Sequence, residues 1–222
     1  MNKVALPTLV GGFLSTACTG DLSALDPAGP AARAISSIWW VMLAGSTAIL
    51  LLVCGLIAFA FLKRRPASPA KRVWIVGAGL VFPITVLTAL LAYGLVIGER
   101  LLPRQSSDLV RVSAESSQWR WVFGYDGGGR RTYDALHIPA GRPVDVVLTT
   151  ADVIHAFWVP RLGGKMDAVP GRQNVLRIEA DRPGIYAGVC AEYCGIGHAR
   201  HGFRVVAHDA AGWQAFSAGD RP

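Results

Sequence analysis

Two stretches of the chain carry no charged residue at all, Ser36 to Leu62 and Val73 to Gly98. Each exceeds the ~20 helical residues that cross a hydrocarbon core, so both are predicted to be transmembrane helices, at 36–62 and 73–98. Trp39, Trp40, Trp74 and Tyr93 lie near the ends of the runs, where interfacial aromatics anchor a span. Pro83 falls inside the second run, a place where membrane helices tolerate proline, and is expected to kink it. Composition agrees: 52% of the residues are hydrophobic and 17% charged, against roughly 25% charged in an average soluble protein. A wholly soluble monomer is excluded.

The segment between the runs, KRRPASPAKR at 63–72, holds five positive charges and no negative one. Short basic loops stay on the cytoplasmic side, which places both termini outside. The start of the chain fits that orientation: Lys3, an apolar stretch from Val4 to Phe13 and the small-residue sequence LSTAC resemble a secretory signal over 1–17. Cys18 is a candidate lipidated first residue of the mature protein. Leu14 stands four residues before it rather than the usual three, and an ordinary signal peptide with an incidental cysteine is the alternative. The Pro/Ala-rich stretch 18–35 reads as an external linker. The net charge of +7 is mainly a property of the loop, because from Arg104 onward 14 basic residues face 12 acidic ones. A nucleic-acid groove has no support in that balance.

Beyond Pro103 the texture changes to short runs rich in Val, Trp and Tyr, broken by Gly, Pro and Asp about every ten residues, the signal of an all-β sandwich or barrel. Strands are expected at Leu109–Ala114, Trp119–Tyr125, Val144–Thr149, Asn174–Ile178, Gly184–Val189 and Phe203–Ala207, with Gly127, Gly128 and Gly129 at a hairpin tip. The domain spans 104–222, enough for a core of its own. The expected architecture is an α+β membrane protein: a two-helix transmembrane hairpin followed by a greek-key β-sandwich.

The chemistry concentrates in CAEYCGIGHARH, from Cys190 to His201. Outside a membrane, paired thiols suggest a disulfide, but a bridge across three residues closes a tiny loop and stabilises little. Two Cys with two His also suit structural zinc, or copper, which binds soft thiolate and imidazole most strongly among the divalent first-row metals. Spacing alone does not choose between zinc and copper. His155 lies 35 residues upstream in VIHAFWVP, read as the end of an apolar strand that returns it beside the loop. A histidine on an upstream strand and a Cys/His loop between the last strands of a sandwich form the cupredoxin arrangement. Two thiolates in place of one can bridge two copper ions, which then share an unpaired electron and rearrange little on changing oxidation state.

With SQWRWVFGY, HAFWVPRLGGKMDAVPGR and CAEYCGIGH, the sequence resembles subunit II of the haem-copper cytochrome c oxidases, from Ser23 to Ala207. The resemblance implies a dinuclear copper A centre with Cys190 and Cys194 as bridging thiolates and His155 and His198 as terminal imidazoles. Glu192 is similar to the residue that gives its backbone carbonyl to copper and its carboxylate to a magnesium ion at the interface with the catalytic subunit. Trp119 resembles the exposed tryptophan that receives the electron from cytochrome c; a tryptophan buried in the core is the bland alternative, and Trp121 is expected on the same face. The loop with Arg161, Lys165, Asp167 and Arg172 matches the one that contacts the catalytic subunit. Two departures stand out. His201 occupies the position of the usual axial methionine; it can ligate copper and lower the potential, turn away and leave one copper with a distant or absent axial ligand, or perturb the shared pair, and ligation with an altered potential is the expected outcome. Pro66 to Trp74 contains no acid, so the family's proton-uptake glutamate is not carried over.

The implied function is that of the electron-input subunit of a respiratory terminal oxidase in a bacterial-type inner membrane, with the copper domain on the periplasmic side. Cytochrome c is the expected donor. Catalytic subunit I, holding the haem where oxygen is reduced to water, is the expected partner together with subunit III and membrane lipid. A quinol-oxidase subunit would lack the copper ligands. From a different class, a membrane-tethered copper-binding or assembly protein would hold metal without passing electrons, and a zinc or disulfide scaffold would show no visible absorption.

Overall fold

The computed structural model of the chain describes residues 18–62, 71–103, 108–125 and 129–219. The expected signal peptide at 1–17, the loop residues Lys63 to Ala70, and Gly127 and Gly128 of the expected hairpin tip lie outside the described residues. The chain divides into a helical unit, Ser37–Leu102, and a β-rich unit made of the flanking segments.

In the helical unit, α1 (Pro30–Leu62) runs on from the preceding segment and is followed by a π-helix (Val73–Val81) continuous with α2 (Phe82–Arg100). The apolar windows reach mean hydropathies of 2.4 and 2.3. Ser37 Oγ and Tyr93 Oη approach to 3.4 Å. Val41, Gly45 and Ile49 face Val86, Leu90 and Tyr93 across an apolar groove, which sets the two helices antiparallel as a hairpin. The disturbance expected at Pro83 takes the form of the π-helix just before it. Proline cannot donate to the carbonyl four residues back, and the wider i→i+5 register makes room for its ring.

Helix α1 begins at Pro30, six residues before the uncharged run. Proline is pre-organised for the first helical position, and Arg33, the charge that delayed the expected start, is neutralised by an ion pair with Asp181. The segment before it is a docked strap rather than a free linker. Ala28 N–H donates to the Arg161 carbonyl at 2.7 Å, Asp181 N–H donates to the Ala28 carbonyl at 2.9 Å, and the Arg161 guanidinium lies 2.9 Å from Asp26 Oδ2. Gly29 passes so close to the Glu179 carbonyl that a side chain there would collide with it.

Among the described residues the β-rich unit holds ten strands: β1 (Val110–Ser117), β2 (Arg120–Tyr125), β3 (Arg131–Tyr133), β4 (Ala135–Pro139), β5 (Val144–Thr150), β6 (His155–Trp158), β7 (Lys165–Ala168), β8 (Asn174–Ile178), β9 (Gly184–Cys190) and β10 (Gly202–His208), closed by α3 (Ala210–Ala218). One sheet has the order β3-β2-β1-β5-β8 and the other β4-β10-β9-β6-β7. The pairs β1/β5 and β4/β10 are parallel among otherwise antiparallel neighbours, the signature of strands that cross between sheets in a greek-key sandwich. Alternate residues of β1 (Val112, Ala114, Ser116) turn inward, as a half-buried strand requires. In β5 every residue from Val144 to Leu148 is buried, and the one charge among them, Asp145, is held by the Arg177 fork at 2.7 and 2.9 Å. The core centres on Trp121, Phe123, Phe157 and Phe203, whose ring centroids lie 4.6 to 6.4 Å apart.

Of the six expected strands Asn174–Ile178 is present with the expected ends and the other five with shifted ends; β3, β4 and β7 are additional, and β6 runs onward from His155 rather than up to it. These are runs of three to five residues, too short to display a period. His155 opens β6 instead of ending a strand. Trp119 precedes β2 and is 43% exposed, whereas Trp121 is fully buried. The two tryptophans therefore do not share a face, because only Trp121 belongs to the pleat.

Candidate metal centre

Strand β9 ends at Cys190, which pairs across β6 with Phe157. Its N–H donates to the His201 carbonyl at 2.9 Å, and Ala191 N–H donates to the Ala156 carbonyl at 2.9 Å. The loop from Ala191 to His201 is thus pinned at both ends. A short 3-10 turn, His198–Arg200, folds it back over the cysteines. The β1–β2 turn closes it from the side: Gln118 Nε2 and Trp119 Nε1 both donate to the Cys194 carbonyl, at 2.8 and 3.3 Å.

These constraints gather six donor atoms. Cys190 Sγ and Cys194 Sγ lie 3.8 Å apart, far beyond the ~2.05 Å of a disulfide, while two metal–sulfur bonds of ~2.3 Å could span the gap. His155 Nδ1 is 3.8 Å from Cys190 Sγ, and His198 Nδ1 and His201 Nδ1 are 3.7 and 3.5 Å from Cys194 Sγ. The Glu192 carbonyl oxygen stands 3.2 Å from Cys190 Sγ. The donor atoms of His155, Cys190, Cys194 and His201 all fall within 4.8 Å of one another, and all four residues are buried. Two soft sulfurs, three imidazole nitrogens and a carbonyl form a donor set that fits copper or zinc.

Burial disfavours the charged forms of Cys194 and His201. Desolvation first, then the neighbouring Cys190, pushes the Cys194 thiol up to about 11. Desolvation likewise lowers His201, with His155 adding to the effect. A thiol raised in this way ionises when a cation is present to balance it, so metal loading releases a proton. His201 lies between the rings of Trp121 (5.7 Å, stacked) and His155 (5.0 Å, edge-on), and its position is fixed by the core.

Two residues that sequence reasoning did not single out orient the site. Asp152 Oδ1 lies 2.8 Å from His155 Nε2, the ring nitrogen that faces away from the sulfurs. Asp152 also accepts from Gln118 N–H at 2.8 Å and Val153 N–H at 2.7 Å. Desolvation alone would raise this carboxyl, but the hydrogen bonds from His155, Gln118 and Val153 outweigh it and bring it down to about 2. The one available signal was an acid three residues before a candidate ligand; for Gln118 there was none. The Glu192 carboxylate points away from the sulfurs toward Lys165, 3.4 Å away. Cys18 is a half-buried free thiol and is not among the gathered donors.

A profile described as "Cytochrome C oxidase subunit II, periplasmic domain" matches residues 129–207. The chain is 32% identical over 220 residues to a cytochrome c oxidase subunit 2 of Alkalihalophilus pseudofirmus, covering 92% of this chain and 64% of that protein's length. It is 30% identical over 231 residues to a probable cytochrome c oxidase subunit 2 of Rickettsia bellii, covering 92% and 84%. The crystal structure of the periplasmic domain of subunit II of cytochrome oxidase from Bradyrhizobium japonicum superposes with a TM-score of 0.50 at 26% identity, over 53% of this chain and 95% of that one. With the paired apolar helices, the greek-key sandwich and the buried Cys/His cluster, the chain belongs to the cytochrome c oxidase subunit II family.

Proposed function

We propose that this chain accepts electrons, one at a time, at a dinuclear copper centre on the outer side of a membrane and delivers them to haem in a catalytic partner subunit that reduces oxygen to water. The observation that carries this reading is the 3.8 Å separation of two buried, unbonded sulfurs with imidazole nitrogens on both flanks.

In this assignment Cys190, Cys194, His155, His198, His201 and the Glu192 carbonyl would hold the copper pair. A copper pair held this way supplies a one-electron store whose geometry changes little with oxidation state. The protein's own contribution is rigidity and a dry surrounding. Asp152 fixes the tautomer and orientation of His155 through Nε2, Trp121 and His155 brace the His201 ring, and Gln118 with Trp119 ties the loop at the Cys194 carbonyl. Outer partners of this kind tune a metal's affinity and potential. Trp119, exposed on one face and bonded to the Cys194 carbonyl on the other, is the proposed point of electron input from a cytochrome c.

The magnesium role of the Glu192 carboxylate is proposed for the assembled complex with the catalytic subunit, where it would exchange its Lys165 contact for the ion. Lipid attachment at Cys18 accompanies the proposal and is read by the mass of the mature chain. The test of the main reading is metal analysis of the full chain after copper reconstitution. Two coppers per chain, with the thiols protected from alkylation, support it; one copper, or a preference for zinc, overturns it.

A further inference from the structure

The donors of the metal centre do not form one equivalent shell. Among the described residues, the ligand atoms of His155, Cys190, Cys194 and His201 lie within 4.8 Å of one another, and all four residues are buried. His198 is outside that set. Its Nδ1 is 3.7 Å from Cys194 Sγ, but it sits half-buried on the 3-10 turn, beside the exposed Tyr193 ring. The inner four are held by the core: Asp152 holds the far nitrogen of His155, the Trp121 and His155 rings flank His201, and Cys190 closes β9 against β6. His198 lines, with Cys190, Arg200 and His201, a shallow depression.

The inner spacing is that of one tetrahedral ion. With metal–sulfur bonds of ~2.3 Å and metal–nitrogen bonds of ~2.0–2.1 Å, a tetrahedron places its sulfurs ~3.8 Å apart and each nitrogen ~3.6 Å from a sulfur. The measured values are 3.8 Å between the sulfurs, 3.8 Å from His155 Nδ1 to Cys190 Sγ and 3.5 Å from His201 Nδ1 to Cys194 Sγ. The gap between the sulfurs suits a bridged pair equally, so the fourth donor makes the difference. A thioether at position 201 would leave three strong ligands, whereas the imidazole completes a set of two thiolates and two imidazoles. Charge agrees with this. Two thiolates balance one divalent ion, so the buried group closes without net charge. A second cation has no such balance and favours the side nearer water.

Resting on the assignment of these residues to a copper pair, we propose that the centre fills in two steps and that His201 makes the first possible: one divalent ion is captured by His155, Cys190, Cys194 and His201 as a self-sufficient four-coordinate site, and His198 engages only the second. The donors of the first step are already in place, so little ordering opposes its capture. The second ion finds His198 and the Glu192 carbonyl, 3.2 Å from Cys190 Sγ. His201 is thus a determinant of which ion is retained first, apart from any influence on potential.

Cobalt(II) reads the first step, because its visible bands separate four-coordinate from higher-coordinate ions and its thiolate charge-transfer bands grow with the sulfurs bound. The full chain in detergent, with its thiols kept reduced and counted, is titrated with cobalt(II) alone. One ion per chain is expected first, four-coordinate and bound by two thiolates. His198→Ala should take up that ion with the affinity and spectrum of the parent. His201→Ala should weaken it by more than the ~10–100-fold that losing an outer partner costs, and His201→Met, which keeps the bulk in the core, should weaken it in the same direction. Equal weakening by His198→Ala and His201→Ala overturns the proposal, as does a higher-coordinate first ion, two ions taken up together, or no uptake by a chain whose thiols are free. Copper counting on a separate sample decides the dinuclear reading: one copper per chain there, with the cobalt results as expected, overturns that reading and leaves the inner site standing.

Discussion

Gly197 presses against the Trp119 indole so closely that a Cβ at this position would overlap the ring, while a Cβ on Gly195, at φ +113°, would come within 3.3 Å of the same ring. The tryptophan proposed to receive electrons is thus seated on two residues with no side chain. Gly197→Ala is expected to displace Trp119 and lower the rate of copper reduction by an external donor roughly 10-fold or more, in line with the cost of a ~1 Å misplacement. Copper content and spectrum should be retained. Stopped-flow reduction kinetics against copper content make the comparison, and an unchanged rate would remove Trp119 from the path.

The contact between Asp152 and His155 gives a second expectation. Asp152→Asn keeps the shape but offers no carboxylate to His155 Nε2. Loss of such a partner typically costs 10–100-fold in metal affinity. Competition with a chelator of known strength should show a loss in that range, and equal affinity would mean that His155 is held by packing alone.

The position taken by His201 bears on potential. Imidazole holds cupric ion more strongly than a thioether and favours the oxidised state. His201→Met should therefore raise the midpoint potential and shift the copper absorption bands. A redox titration of both forms decides this, and coincident curves would show that the imidazole does not ligate.

A pH dependence arises away from the metal site. His137 Nδ1 and His208 Nε2 lie 2.8 Å apart, and Phe216 of α3 stacks on His137 at 4.4 Å. Burial first, then His208, Arg204 and Arg130, lowers His137 to about 4; burial also lowers His208, with Asp209 opposing. Histidines whose folded-state pKa is depressed bind fewer protons folded than unfolded, so stability is full above the ordinary pKa near 6.5 and is lost as pH falls toward 4. For a half-exposed pair, screened by solvent, the loss is about 1–2 kcal/mol. The thermal midpoint should drop between pH 7 and 4.5, and His137→Phe, which keeps the stack on Phe216, should flatten that slope. An equally steep slope in the variant would place the acid sensitivity elsewhere.

The residues of the candidate metal centre are legible in the sequence because they are close together in the chain or sit in distinctive segments. Cys190, Cys194 and His198 share one loop, and His155 is marked by its aromatic surroundings. The hairpin of spans was equally legible, since a run without charge has few alternatives. What local sequence did not show was set by tertiary contact. His137 and His208 meet across 71 residues, Arg33 enters α1 because Asp181 neutralises it, and Trp119 lies one residue before the start of β2, where the alternation that would put it on the face of Trp121 no longer holds. Strands β4 and β6 are buried on nearly every side, so they lack the alternation that marks β1.

Electron paramagnetic resonance of the copper-loaded full chain probes the central assignment most directly. One unpaired electron shared equally by two copper nuclei, each of spin 3/2, gives seven hyperfine lines, and that pattern is expected. Four lines from a single copper, or no signal from a chain whose Cys190 and Cys194 are found joined as a disulfide, would contradict it.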